Sequence, residues 1–396
     1  MRIYADNAAT TRMSRSVIDA MLPYMERIYG NPSSIYTEGQ QAAEALNDAR
    51  ERIASRLGCT AKEITFTSGG SEADNQAIFT AARAGERQGK RHIISSAFEH
   101  HAVLHTLDAL KKQGFDITLL EIPENGVIKM QQVEDAIRDD TCLVTVMYVN
   151  NEVGTIQPVE EIGAVCRRRG VLFHTDAVQA AGHIPIDVSH QNIDMLSLSA
   201  HKFHGPKGAG ALYARRGIGL ENVIYGGGQE RGKRAGTENV PAIMGMAAAL
   251  DEACEAMEEN RRKLERMGTR LTDGLSLIPH SSLNGDERRR LPGTVNFSFE
   301  GIEGETLLLL LDEKGICASS GSACTSGSLD PSHVLIAMGR PNDIAYGSLR
   351  LSLSGQNTDE EIGYIIEAVR EAVDYLRGVS PAWHDLQSGK REYFFR

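Results

Sequence analysis

Three groups of residues in this chain could share one chemistry. Lys202 follows the alternating apolar run Met195, Leu196, Leu198 and precedes Gly205-Pro206-Lys207-Gly208, so the pattern puts it just past a strand's end, on a tight turn. In open α/β sheets that edge collects ligands, and a lysine held there among Ser199, His201 and glycines could form an imine with an aldehyde cofactor. The plainer reading of such a lysine is a solvated surface charge. Upstream, Val171-Leu172-Phe173 reads as a short apolar strand ending in His174-Thr175-Asp176-Ala177-Val178-Gln179, which sets an acid at a neighbouring strand end. Asp176 alone would be an ordinary cap or turn residue. Together with Lys202 it forms the pair that a pyridoxal phosphate site needs: a lysine for the Schiff base, and an aspartate that keeps the pyridine nitrogen protonated so the ring can act as an electron sink. Gln179 could donate to the ring's phenolic oxygen. The third group is Ser68-Gly69-Gly70-Ser71-Glu72-Ala73-Asp74-Asn75, where a strand, Ile64 to Thr67, opens into a helix. Glycines let backbone amides approach an anion at a helix N-terminus, so Gly70 and Ser71 are the natural seat for a phosphate.

The elements that must position these groups repeat. Strand His92 to Ser95 leads to Phe98-Glu99-His100-His101 and a helix, and strand Leu143 to Val149 leads to Asn150-Asn151-Glu152-Val153-Gly154. Strands alternating with helices predict a mostly parallel sheet whose carboxyl edge gathers function. His100 falls on that edge, where it could stack on a pyridine ring; His101 reads as incidental. Apolar Val17, Ala20, Met21 and Tyr24 predict one helix, and Ala42, Leu46, Ala49, Ile53 and Leu57 predict a second over Glu38 to Leu57 that stops at Gly58. Gly226 to Asn239 reads as a flexible basic loop, either a linker or a loop reaching an anion.

A long helical region from Pro241 to about Leu275 leads to a stretch of different character: strand Val295 to Phe299, helix Glu305 to Glu313, strand Ile316 to Ala318, and strand Ser348 to Leu353. This is read as a smaller α+β domain. Arg350, on an otherwise apolar strand, would be costly to bury unpaired and is a candidate clamp for a substrate carboxylate. A final helix starts at the capping box Thr358/Glu361 and is expected to stop at Gly378. The division expected is a large cofactor domain over residues 13–258, and a small domain made of 1–12 with 259–396.

The six cysteines are widely spaced with no C-x-x-C pair, which signals neither a zinc site nor a disulfide framework. Five read as small core residues. Cys324 instead sits in the small, polar run Ser319 to Ser328, which predicts an exposed, mobile loop. With 396 residues, 41% hydrophobic and 24% charged, the composition is that of a soluble globular protein of more than one domain. A net charge of -11 argues against direct nucleic-acid binding. The longest aliphatic run, Leu307 to Leu311, falls far short of the roughly 18 residues a membrane span needs, and MRIYADNAATT lacks an apolar signal core, so a cytoplasmic protein is expected.

SLSAHKFHGPKG, HTDAVQ, TSGGSEADN, EHHAVL, VNNEVGT, RAGTEN and SSGSACTSGSLDPSH, in this order along nearly the whole chain, resemble the cysteine desulfurases of the class V aminotransferase group, in their NifS/IscS-like branch. The resemblance implies a fold-type I pyridoxal phosphate transferase, α/β, that converts L-cysteine to L-alanine. It implies that Lys202 binds the cofactor aldehyde, Asp176 pairs with the pyridine nitrogen, Gln179 contacts the phenolic oxygen and His100 stacks on the ring. Gly70, Ser71, Ser199 and His201 would hold the phosphate, and Thr237 would reach the phosphate of the other subunit of a homodimer. Asn151, also placed beside the cofactor, and Arg350 would hold the substrate carboxylate. Cys324 would accept the sulfur as a persulfide. No intrinsic metal is implied, although that persulfide can transiently ligate an iron-sulfur cluster, and the partner implied is an iron-sulfur scaffold or another sulfur acceptor. A selenocysteine lyase or another class V enzyme is the alternative, and a non-catalytic sulfur-relay protein is a further one. Two features depart from the branch: His101 stands where relatives have proline, and the tail from Trp383 to Arg396 does not match the segment that scaffold-binding members use.

Overall fold

The computed structural model describes residues 2–320 and 331–395; Cys324 lies outside the described residues. A seven-stranded sheet forms the larger layer, in the spatial order Ile64–Thr67, Gly210–Ala214, Met195–Ser199, Leu172–Asp176, Thr141–Thr145, His92–Ser96, Asp116–Leu120. Gly210–Ala214 runs antiparallel to both neighbours and the other six strands share one direction. The predicted mostly parallel sheet is therefore present. All its strands except the edge strand Asp116–Leu120 are almost wholly buried, because helices cover both faces.

Each parallel strand ends at the same edge. Asp176 is the last residue of its strand and Ser199 the last of the next, paired through Thr175 with Leu196 and Asp176 with Ser197. The helix Gly70–Glu86 starts beside them; a Cβ on Gly70 would come within 2.6 Å of Val178 Cγ2, so only glycine lets the helix sit this close to the strand ends.

The helix Thr37–Leu57 forms as its spacing predicts, and Gly58 ends it with φ +70°. Three expectations need correction. The strand expected over Leu143 to Val149 is Thr141–Thr145; beyond it the backbone still follows its neighbour, Val146 N donating to His174 O and Tyr148 N to Asp176 O, but without regular strand pairing. The helical region expected to Leu275 is two helices, Val240–Glu255 and Met257–Ser276, divided at Ala256. The final helix, whose Thr358/Glu361 capping box is formed, runs through Gly378 to Val379, because glycine weakens a helix without forbidding it.

Residues beyond Met257 build a second core on the three-stranded sheet Ser348–Ser352, Thr294–Phe299, Ser281–Leu283. Ile3 and Ala5 pack into this core, since Ile3–Tyr4 pairs in parallel with Ile316–Cys317. The N-terminal segment thus starts in one core and crosses to the edge of the other. Among the described residues, no helix is long and apolar enough to cross a membrane.

Candidate active site

Lys202 closes a 3-10 turn, Ala200–Lys202, directly after its strand. The turn is tight: Phe203 N and Gly205 N both donate to Ala200 O, and His204 takes φ +65°, a costly backbone for a residue with a Cβ. The N-terminal segment braces it, with Thr11 N and Thr11 Oγ1 donating to His201 O and His204 N donating to Thr11 Oγ1. The lysine Nζ donates to the carbonyls of Ala8 (2.5 Å) and Ala9 (2.9 Å), and Gln179 Nε2 also donates to Ala8 O at 2.9 Å.

Asp176 is buried, and its Oδ1 accepts from Val178 N at 2.9 Å, the local bond that turns the chain at the strand end. Burial raises its pKa, and the Val178 amide and the nearby charge of Lys202 oppose the rise. His100 caps the helix His101–Lys111, its Nδ1 accepting from Ala102 N. Burial and then the Lys202 charge push its pKa down to about 4, so the ring is neutral at pH 7. The same two causes take His201 to about 4. Lys202, Asp176, His100 and His201 therefore share one electrostatic environment. Ser199 adjoins the phosphate-seat turn, 3.6 Å from where a Cβ on Gly69 would stand.

Asn151 and Arg350 also meet: Arg350 Nη1 donates to Asn151 O at 3.0 Å. Arg350 is 2% exposed, and Asp6 Oδ1 pairs with its Nη2 at 2.9 Å. Ser71 and Thr237 are exposed. The loop expected to be flexible is pinned instead. Glu230 within it accepts from both Nη atoms of buried Arg50 (2.7 and 2.6 Å) and from Phe66 N (2.8 Å).

Sequence reasoning passed over two buried acids behind Asp176. Asp74 is 1% exposed, and its Oδ1 finds no hydrogen-bond partner among the described residues. Burial and then the charge of Asp176 raise its pKa well above the usual carboxylate range. His174, whose nitrogens meet Thr145 Oγ1 (2.8 Å) and Ser197 Oγ (3.0 Å), lies 3.7 Å from it. Burial holds that histidine near a pKa of about 3, so the contact is not an ion pair. Glu99 accepts from Ser96 Oγ and, with both oxygens, from Met147 N, and burial raises its pKa to about 8. A signal for Asp74 was present: it stands four residues after Gly70, on the same helix face.

Burial also raises the thiol pKa values of Cys59 (to about 12), Cys142 (about 11) and Cys166 (about 12), which makes them inert. Cys142 and Cys166 are core residues as expected, whereas Cys59, Cys254 and Cys317 are only half-buried.

This donor set fits pyridoxal phosphate: an amine and a buried carboxylate at adjacent strand ends, and hydroxyls beside a glycine-opened helix N-terminus that suits an anion. The aminotransferase class-V family model matches residues 3–365. The chain is 51% identical over 394 residues to a cysteine desulfurase IscS of Clostridium botulinum, covering 99% of both chains. It is 52% identical over 379 residues to the IscS of Methanosarcina thermophila, covering 96% of this chain and 94% of that one. Among solved structures, a NifS-like protein superposes with TM-score 0.89 at 40% identity, covering 95% of this chain and all of the other. SspA in complex with cysteine superposes with TM-score 0.79 at 38% identity, covering 90% of this chain and all of the other. With the class-V family model matching residues 3–365 and identity of about half over the full length, the chain belongs to the class-V aminotransferases and, within them, to the pyridoxal-phosphate-dependent cysteine desulfurases.

Proposed function

We propose that the desulfurase reaction of this chain, L-cysteine to L-alanine with the sulfur left on Cys324 as a persulfide, is carried by Lys202, Asp176, His100 and Cys324. The observation that supports this most is the placement of Lys202 and Asp176 at neighbouring strand ends, close enough for the lysine charge to bear on the buried carboxylate. When bound, pyridoxal phosphate supplies the electron sink that weakens the substrate's bonds to Cα and Cβ. Asp176 would hold negative charge at the ring nitrogen, Gln179 would contact the phenolic oxygen and neutral His100 would cover the ring. Gly70, Ser71, Ser199 and His201, with Thr237 of a second copy, would hold the phosphate. Lys202 moves a proton at the substrate Cα, and Asn151 and Arg350 hold its carboxylate.

In the sulfur step the Cys324 thiolate forms an S–S bond to the substrate sulfur as the Cβ–S bond breaks. The electron pair of that bond goes to carbon, which takes up a proton, so thiol plus L-cysteine gives persulfide plus L-alanine with no outside oxidant. A free thiol has a pKa of about 8.5, so a base must help at neutral pH, and His100 is the group we assign.

Residues 13–258 are read as the cofactor-binding unit, and 1–12 with 259–396 as the unit that carries Cys324, a division supported by the second core. A cytoplasmic protein is proposed, and a homodimer, the latter supported by the exposed Ile35 (91%) and Tyr225 (85%). A groove of about 1100 Å³ runs past Ser320 and Ser332, on either side of the Cys324 segment, and is bounded by Ile344, Tyr346 and the tail residues Tyr393 and Phe394. We assign it to the sulfur acceptor, an iron-sulfur scaffold protein or an equivalent.

The test measures L-alanine released from L-cysteine and, by mass spectrometry, persulfide on the Cys324 peptide. Both are expected in the wild type and absent in Cys324→Ser. An unimpaired variant, or a cofactor-loaded wild type that releases no alanine, overturns the assignment.

A further inference from the structure

Arg350 brings a full positive charge into the protein interior. Its Nη2 donates to Asp6 Oδ1 and its Nη1 to Asn151 O, while Nε has no acceptor among the described residues. Glu152, another buried acid that feels the Arg350 charge, accepts from Ser332 Oγ at 2.5 Å and forms no ion pair with Arg350 among the described residues. Asp6 is therefore the one acid paired with Arg350 among the described residues.

The backbone around Asp6 is pinned. Ala5 N donates to Cys317 O, Ser352 N to Ala5 O, and Asn7 N to Ser352 O. Two and three residues further on, Ala8 and Ala9 present the carbonyls that receive Lys202 Nζ. One short segment thus touches both the guanidinium that would take an amino acid's carboxylate and the amine that would meet its other end.

A buried guanidinium without an anion is costly, so the free enzyme requires Asp6. A substrate carboxylate arriving at the same guanidinium then meets a like charge only a few ångströms away, which opposes its binding. We propose that Asp6 is the resident counter-anion of Arg350 and sets how weakly α-carboxylate ligands are held, making it a specificity-determining residue of the desulfurase. The proposal rests on the reading of Arg350 as the carboxylate clamp. Its consequence is that L-alanine, which carries the same carboxylate as L-cysteine, leaves readily; binding shared equally by ligand and product would slow release without assisting the chemistry.

The test is equilibrium binding of L-alanine to the cofactor-loaded protein by calorimetry, in wild type, Asp6→Asn and Arg350→Gln. Asparagine keeps the size of Asp6 and a hydrogen-bond acceptor for Nη2; Asp6→Ser serves as a second variant if the first does not fold. The expected result is that Asp6→Asn binds L-alanine about tenfold more tightly, the scale of removing a like charge at close range in a half-open site. Arg350→Gln should bind it at least about tenfold more weakly, as loss of a charge-assisted pair predicts. If Arg350→Gln weakens binding while Asp6→Asn leaves it unchanged or weaker, the role of Asp6 is overturned and the clamp survives. If Arg350→Gln binds L-alanine as the wild type does, the clamp fails and the role of Asp6 fails with it.

Discussion

Behind the strand Ile64–Thr67, Arg50 and Glu230 bury a charge of each sign. Two Nη–H groups reach the carboxylate, Phe66 N adds a third donor, Arg50 also donates to Ile64 O, and the guanidinium lies 4.4 Å above the Phe66 ring. At the carboxyl edge of the same sheet, Asp74, Asp176 and Glu99 bury three acids near one another, bonded to hydroxyls and amides and raised in pKa chiefly by burial. The first cluster neutralises itself and fastens the loop Gly226–Asn239 to the sheet. The second holds charge unresolved beside Lys202, as a site that must bind a charged group does. Burial alone thus says little about purpose; how completely the buried charges are matched says more.

Breaking the matched pair should have the largest effect on stability. Glu230→Ala leaves Arg50 buried without its anion and should cost about 3–5 kcal/mol, read from the denaturant midpoint. Asp176→Asn should do the reverse, holding stability near wild type at neutral pH while L-alanine release falls on the order of 100-fold or more. If Asp176→Asn destabilises as much as Glu230→Ala, the two clusters are not different in kind.

The smallest effect sharpens the contrast through pH. Folding raises the Glu99 pKa to about 8, from an unfolded value of about 4.3. Its contribution to stability is therefore fully present below about pH 4.3 and is lost as pH rises through about 8. Glu99→Gln cannot titrate, so its stability should gain on the wild type across that window and hold a constant margin above it, measured by urea denaturation at a series of pH values. His100, whose folded pKa of about 4 lies below its unfolded value, loses stability in the opposite direction as pH falls, but it does so in both proteins and cancels in the difference.

Much of this was legible along the chain. The strand Met195–Ser199 and the turn at Lys202 follow from an apolar run meeting glycine and proline, and Asp176 ends its strand because polar residues follow Phe173. The helix from Thr358 declares itself through its capping box. What misled was the loop Gly226–Asn239: glycines and charges read as flexible, because a buried partner 180 residues away, Arg50, leaves no mark on local composition. Asp74 and Glu99 were passed over for the same reason, since acids near strand ends and helix starts look like caps until the sheet turns them toward Asp176.

The sequence by itself determined the elements, the strand-end positions of Lys202 and Asp176, and the family, because periodicity, turn residues and short motifs are local properties. Only the tertiary structure decided which charges share a space. It brought Asp6 to Arg350 across 344 residues, and it set the Ala8 and Ala9 carbonyls against Lys202. Electrostatic energy depends on distance and on exclusion of water, and neither is written in the order of the residues.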